Sequence, residues 1–288
     1  MAEDLLLRTR DGRELFAVRA GGGAPTVVFE AGMGGSHHMW GGVFPGIADI
    51  TTAVAYDRSG LGRSPADPAP RNLQRLVDDL VDVLGQLGDG PFVLVGHSWG
   101  GPIVRCAAAA MPERIAGLVL VDPTDEGANV FFSDGNARMA RIGVKLSPAM
   151  ARLGVYRLVT RRLAKKLPEE SARGLRAEDG TVAAVRTQCA EMAPSIDDLR
   201  RLRAEPPTPP DVPLTVISGA VSSKLERGRR GEVVTAHRVR ARMAAANGHH
   251  VMAERSGHMV PFTEPGLVID EIARVVDLAR GGADVVAP

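Results

Sequence analysis

The chain has 288 residues, of which 44% are hydrophobic and 24% charged, with a net charge of +1: enough apolar material for one large α/β core with an insertion, and no global field that would suggest nucleic acid or a polyanion. An aromatic content of 4% argues against a base-stacking platform, and no segment approaches the ~20 apolar residues of a membrane anchor. The acidic start Met1-Ala2-Glu3-Asp4 does not read as a signal peptide, and two cysteines, Cys106 and Cys189, offer neither a disulfide framework nor metal-ligand spacing, which fits a reducing cytoplasm.

Strands are predicted near residues 4–9, 14–19, 26–31, 51–56 and 92–96, with a hairpin signal at Asp11-Gly12. Leu73, Leu76, Val77, Leu80, Val83, Leu84 and Leu87 recur at helical spacing and predict a helix over 72–87. The apolar run Phe92-Val93-Leu94-Val95 then feeds directly into Gly96-His97-Ser98-Trp99-Gly100, and an Ala-rich helix is predicted from Pro102 to Met111. Glycine two residues to either side of a serine permits a strand-to-helix turn tight enough to hold the hydroxyl clear of the sheet. In a chain with 33 glycines this pattern alone is weak, and its plain reading is an ordinary Gly-rich turn. The strand before it and the helix after it give it weight.

After a strand over 116–121, ending in Val121-Asp122-Pro123, strand-like runs stop. From about 126 to 210 the chain is rich in Arg, Ala and Leu and leaves through Pro206-Pro207-Thr208-Pro209-Pro210. Between Gly135 and Pro168 stand nine basic residues, Arg138, Arg141, Lys145, Arg152, Arg157, Arg161, Arg162, Lys165 and Lys166, and no Asp or Glu. Met139, Ile142, Leu146, Met150, Leu153, Tyr156, Val159, Leu163 and Leu167 interleave with them. The first reading is helices that pack apolar faces on the core and turn basic faces to water; recognition of an anionic acyl substrate comes second, and contact with an anionic membrane surface third. A strand over 213–218, a helix over 233–246, a strand over 249–254 and a helix over 265–280 complete the chain, and His258 falls on the loop between the last strand and the last helix.

A serine hydroxyl is a poor nucleophile until an imidazole takes its proton and an acid orients and stabilises that imidazole. Ser98 and His258 stand in the right order for this. His37, His38, His237, His249 and His250 read as structural or surface residues.

The segments Phe29-Glu30-Ala31-Gly32-Met33-Gly34-Gly35, Tyr56-Asp57-Arg58-Ser59-Gly60-Leu61-Gly62-Arg63-Ser64, the Ser98 turn and Ser256-Gly257-His258 together resemble the α/β-hydrolase superfamily over nearly the whole chain. The Glu-Ala-Gly-Met-Gly-Gly opening and Val121-Asp122-Pro123-Thr124 are similar to a bacterial serine esterase-like group within it. The resemblance implies a mostly parallel eight-stranded sheet flanked by helices, with a helical lid after the sixth strand: core over 1–125, lid over 126–210, core again over 211–288. It also implies an oxyanion hole made by the backbone N–H groups of Met33 and Trp99, and a substrate pocket shaped by the lid, Met33, Trp99 and His37-His38-Met39-Trp40.

In most of that superfamily the acid follows the strand after the lid. Here Ala220-Val221-Ser222-Ser223-Lys224 holds no carboxylate, so Asp122, at the end of the strand after the Ser98 helix, is expected to be the acid, as in some relatives; Asp125, Glu126, Glu226 and Glu232 are the substitutes. The favoured activity is hydrolysis of an ester, thioester or related acyl bond in a small molecule. The alternatives are other chemistry on the same triad (C–C bond hydrolysis, acyl transfer, a lyase step) and a ligand-binding protein with a vestigial site. Serine rather than aspartate at the turn argues against epoxide hydrolysis and dehalogenation. Neither Gly32-Met33-Gly34 nor Gly60-Leu61-Gly62 completes a dinucleotide motif, no phosphate loop exists, and no cofactor or metal is expected.

Overall fold

Alternation along the central strands builds the molecule. In the computed structural model, which describes residues 2–222, 227–244 and 247–283, Val27 and Phe29 of β3 (Thr26–Glu30) pack on one side of the sheet and Val28 on the other. β5 (Phe92–His97) divides in the same way, with Phe92 and Leu94 opposite Val93 and Val95, as does β6 (Ile115–Val121), with Leu118 and Leu120 opposite Val119 and Val121. Side chains of successive strand residues point to opposite faces, so strands that are apolar at every position must be covered on both. Each fully buried Val, Leu or Phe contributes roughly 1.5–3 kcal/mol.

The eight strands run in the order β1-β2-β4-β3-β5-β6-β7-β8. β1 (Glu3–Arg8), β2 (Glu14–Ala20) and β4 (Ala53–Tyr56) pair antiparallel in turn, whereas β4, β3, β5, β6, β7 (Leu214–Gly219) and β8 (Gly248–Ala253) are parallel. The helices are α1 (Phe44–Ala48), α2 (Leu73–Gln86), α3 (Gly100–Ala110), α4 (Asp134–Arg152), α5 (Val155–Ala164), α6 (Glu169–Glu178), α7 (Val182–Ala204), α8 (Arg227–Met243), α9 (Val260–Thr263) and α10 (Pro265–Ala283). Most expected boundaries shift by one to three residues, and one shifts by six. α3 starts at Gly100, so Pro102 lies within the first turn, where its missing N–H still costs no helical bond. β4 starts at Ala53 because the Thr51 and Thr52 hydroxyls bond the Pro25 and Gly23 carbonyls. α8 begins six residues before its predicted start at 233.

The helices α4 to α7 occupy the chain between β6 and β7, but α4 is oriented otherwise than its sequence suggests. Gly143 approaches Met192 of α7, and Ser147 and Ala151 are buried, whereas Met139, Ile142, Leu146, Met150 and Leu153 face solvent. Small residues allow close helix packing, and they, not the large apolar ones, won the inner face of α4.

Candidate active site

Ser98 sits at the turn between β5 and α3 with φ 53, in the left-handed region. That conformation costs a non-glycine residue roughly 1–2 kcal/mol. It is held by Ser98 N–H donating to the Val121 carbonyl at 3.1 Å and by the Ser98 carbonyl accepting from Gly101 N at 3.0 Å and Thr124 N at 2.9 Å. The flanking glycines are forced: a Cβ on Gly96 would lie 2.5 Å from the Gly100 carbonyl oxygen, and one on Gly100 would lie 2.5 Å from that of Glu30.

From this turn a line of hydrogen bonds runs inward. Ser98 Oγ is 2.9 Å from His258 Nε2, and His258 Nδ1 is 2.7 Å from Asp122 Oδ2. His258 is carried by the loop between β8 and α9, which is tied down by Glu264: its carboxylate accepts from Ser256 Oγ at 2.6 Å and from Arg255 N at 2.9 Å. Asp122 closes β6 with φ 43 and is almost wholly buried. Its N–H donates to the Ile217 carbonyl at 2.7 Å, and its Oδ1 accepts from Gly219 N at 3.0 Å. Gly219 must be glycine, since a Cβ there would strike the Gly257 carbonyl oxygen of the His258 loop at 2.0 Å.

The other carboxylates weighed for this place are engaged elsewhere. Asp125 pairs with Arg240, Glu126 with Arg105 and Arg240, and Glu232 caps Val130 N at 2.9 Å. Glu226 and Ser223 lie outside the described residues, and Ser222 lines a cavity beside His258. Among the other histidines, His237 bonds Ser218 Oγ and the Pro123 carbonyl, and His250 bonds Ser218 Oγ.

Sequence reasoning missed three residues. The first is Arg230 of α8, whose guanidinium grips both oxygens of Asp122 (Nη1 to Oδ2 2.8 Å) while its Nε donates to the Gly219 carbonyl at 2.7 Å. Burial works to raise the Asp122 carboxyl, but the hydrogen bonds from His258 and Arg230 outweigh it and hold the group well below the usual carboxylate range. The second is His97, pushed down to about 3 by burial and by the nearby His258. A neutral imidazole facing a carbonyl must donate, so His97 Nε2–H binds the His258 carbonyl at 2.9 Å and steadies the loop that carries His258. Only glycine at position 32 leaves room for that ring, whose Nδ1 would be 2.8 Å from a Cβ there.

The third is Arg58, buried, which donates to the Ala31 carbonyl at 2.7 Å and the Gly32 carbonyl at 2.8 Å and pairs with Glu30 and with Glu191 of α7. Glu191 in turn accepts from Gly34 N at 3.2 Å and Arg71 Nη2 at 3.2 Å. The Gly32-Met33-Gly34 loop is therefore clamped between the sheet and α7. Nothing in the spacing of Arg58 and Glu191, 133 residues apart, announces the pair.

Two cavities meet at Ser98 and His258. One, of about 430 Å³, is mostly apolar and is lined by Met33, Trp99, Val159, Leu163, Leu175 and Phe262 among others, with Asp179 and Gln188 as polar points. The nine basic residues of 138–166 do not line it, and of the His37-His38-Met39-Trp40 segment only Met39 does; His37 and His38 border a separate cavity with Val18, Phe44 and Ser171. The second cavity at the site, about 290 Å³, is lined by Thr124, Phe131, Ser222, Arg229 and Arg230.

Residues 25–176 match the alpha/beta hydrolase fold family, and the chain belongs to that family. Over 70 residues it is 47% identical to Lipase LipV of Mycobacterium tuberculosis, a match covering 24% of this chain and 26% of that protein. Over 102 residues it is 34% identical to a protein of Azorhizobium caulinodans provisionally named carbamate hydrolase RutD, covering 35% of this chain and 38% of the relative. The matched segments thus span well under half the length of these curated relatives. A mutant epoxide hydrolase of Vigna radiata shares the fold with a TM-score of 0.73 at 14% identity, over 97% of this chain and 99% of that one. No described helix is long and apolar enough to cross a membrane.

Proposed function

We propose that the chain is a serine hydrolase that cleaves an ester, thioester or related acyl bond of a small molecule through an acyl-enzyme intermediate. The observation that carries this reading is the unbroken relay of Ser98 Oγ, His258 Nε2, His258 Nδ1 and Asp122 Oδ2, at 2.9 and 2.7 Å. Ser98 attacks the acyl carbon as His258 takes its proton; His258 then returns the proton to the leaving group, and the same imidazole activates water for deacylation. Asp122 fixes the imidazole with Nε2 free to accept and balances the imidazolium charge. The backbone N–H groups of Met33 and Trp99 serve as oxyanion donors, with Arg58 holding the Met33 side of that pair. The apolar cavity suits the acyl chain, and the cavity lined by Thr124, Ser222 and Arg229 suits the leaving group. The α4–α7 segment acts as the lid over both.

Ser98 in place of a carboxylate separates this chemistry from that of the epoxide hydrolase whose fold it shares, and the name of the lipase relative is consistent with an ester bond. The 2.7 Å contact between Asp122 and His258 supports a working site over a vestigial one. Neutral p-nitrophenyl esters of graded chain length are the first substrates to try. Parent protein should turn them over and label with a fluorophosphonate at Ser98, while Ser98→Ala should lose several orders of magnitude in kcat with an unchanged melting temperature. Turnover retained in Ser98→Ala would end the acyl-enzyme reading.

A further inference from the structure

The outer surface of α4 and α5 has the character of a binding face. Met139, Ile142, Leu146, Met150 and Leu153 follow one another at intervals of three and four residues, a single stripe along α4, and all are exposed, Leu153 by 82%. Gly154 joins this stripe to α5, where Val155, Leu158 and Val159 repeat the pattern and are again exposed. Most of the large apolar side chains that the described residues present to solvent are in this short stretch. Scattered exposed apolar residues need no explanation, but a contiguous stripe does.

The charge of the segment that carries the stripe is one-sided, with Asp197 of α7 a neighbouring carboxylate in the cavity lined by Arg141 and Lys145. All nine cations from Arg138 to Lys166 are exposed, no Asp or Glu lies between Gly135 and Pro168, and the chain as a whole is only +1. Arg138, Arg141, Lys145 and Arg152 run one position before the apolar stripe, and Arg157, Arg161 and Lys165 form a row along α5. Two copies of such a face would repel each other. An anionic surface with an apolar interior meets both properties at once, since long Arg and Lys side chains reach headgroup phosphates while Leu, Ile and Met enter the acyl boundary.

We propose that α4 and α5 dock the protein on anionic phospholipid bilayers. The face adjoins the candidate active site: Tyr156, Val159, Thr160 and Leu163 of α5 line the apolar cavity beside Ser98, and Val159 is also half exposed. Docking therefore sets the mouth of that cavity against the lipid. The attachment is peripheral and reversible, held by side chains rather than by a spanning helix.

Co-sedimentation with vesicles tests this without any turnover, so its outcome stands apart from that of the hydrolase reading, and Ser98→Ala should bind as the parent does. The full chain should pellet with vesicles of phosphatidylcholine and phosphatidylglycerol in equal parts and remain in solution with phosphatidylcholine alone. Raising the salt from about 50 to about 500 mM should cut the bound fraction at least about tenfold, because exposed charges are screened. The triple variant Leu146→Ser, Leu153→Ser, Leu158→Ser, and separately Arg161→Glu with Arg162→Glu, should each weaken binding about tenfold or more at an unchanged melting temperature. None of these five side chains lines the cavity. Absence of pelleting with the anionic vesicles, equal pelleting with both lipids, binding that survives both variants, or equally tight binding to soluble polyglutamate would overturn the proposal. So would a parent protein that dimerises through this face in light scattering and ignores vesicles.

Discussion

Ser98 and Asp122 are the non-glycine residues that take a left-handed backbone among the described residues, and they stand at the two ends of the relay through His258. Such strain persists only where surrounding structure over-determines it; here the next parallel strand in the sheet supplies each bond, since Ser98 N donates to the Val121 carbonyl of β6 and Asp122 N to the Ile217 carbonyl of β7. Asp122 shares its charge between His258 and Arg230. Asp122→Asn should keep the fold and lower kcat by up to about 10⁴, since the amide favours the wrong imidazole tautomer, while Asp125→Asn should do far less; steady-state kinetics on one ester decide it. Arg230→Met should act in the opposite electrostatic sense. Without the guanidinium the carboxylate stabilises the imidazolium more strongly, so the acid limb of the kcat/KM profile should move to higher pH. An unmoved limb would mean that Arg230 only braces the Gly219 turn.

At the scale of elements, the device that places the Gly-rich loop is a buried ion cluster between β3, the segment after β4, and α7. Arg58 and Glu191 have under 2% exposure and make five hydrogen bonds, two with one another and three with the loop backbone. Burial works against the Glu191 carboxylate, and Arg58 and Arg71 more than compensate and hold it below its ordinary range. Removing one partner leaves an unmatched buried charge, at a cost of roughly 3–5 kcal/mol. Glu191→Leu should accordingly lower the unfolding free energy measured by urea titration by an amount in that range, and its residual turnover should drop through kcat more than KM because the Met33 N–H loses its anchor. A loss in KM alone would remove Arg58 and Glu191 from the account of the oxyanion hole.

For the whole molecule, stability depends on pH through the junction of α6 and α7. Asp179, between α6 and α7, lines the apolar cavity and accepts a long bond from Ser36 N at 3.4 Å. Burial, helped by the charge of Asp57, pushes it up to about 7. The folded state therefore holds this proton more tightly than the unfolded chain, whose Asp titrates near 3.8. Its contribution to stability is present at low pH and lost as pH rises through about 7. Asp179→Asn should thus raise the melting temperature by a few degrees at pH 8 and leave it nearly unchanged near pH 4, as differential scanning calorimetry would record.

Local pattern alone carries the strands in their order along the chain, the Ser98 turn, and the choice of His258 and Asp122 as candidates: each depends on residues adjacent in sequence, such as Gly96 to Gly100 or Val121-Asp122, and on the absence of a carboxylate from Ala220-Val221-Ser222-Ser223-Lys224. Helix edges and the facing of α4 do not follow from periodicity, because the stripe of Met139 to Leu153 is as regular as any core stripe and only the small residues packed on α7 decide which side is inside. Arg58, Glu191, Arg230 and His97 are equally illegible in one dimension. Their work is done across separations from 11 to 161 residues, where charge compensation and close packing arise only after the sheet has brought the partners together.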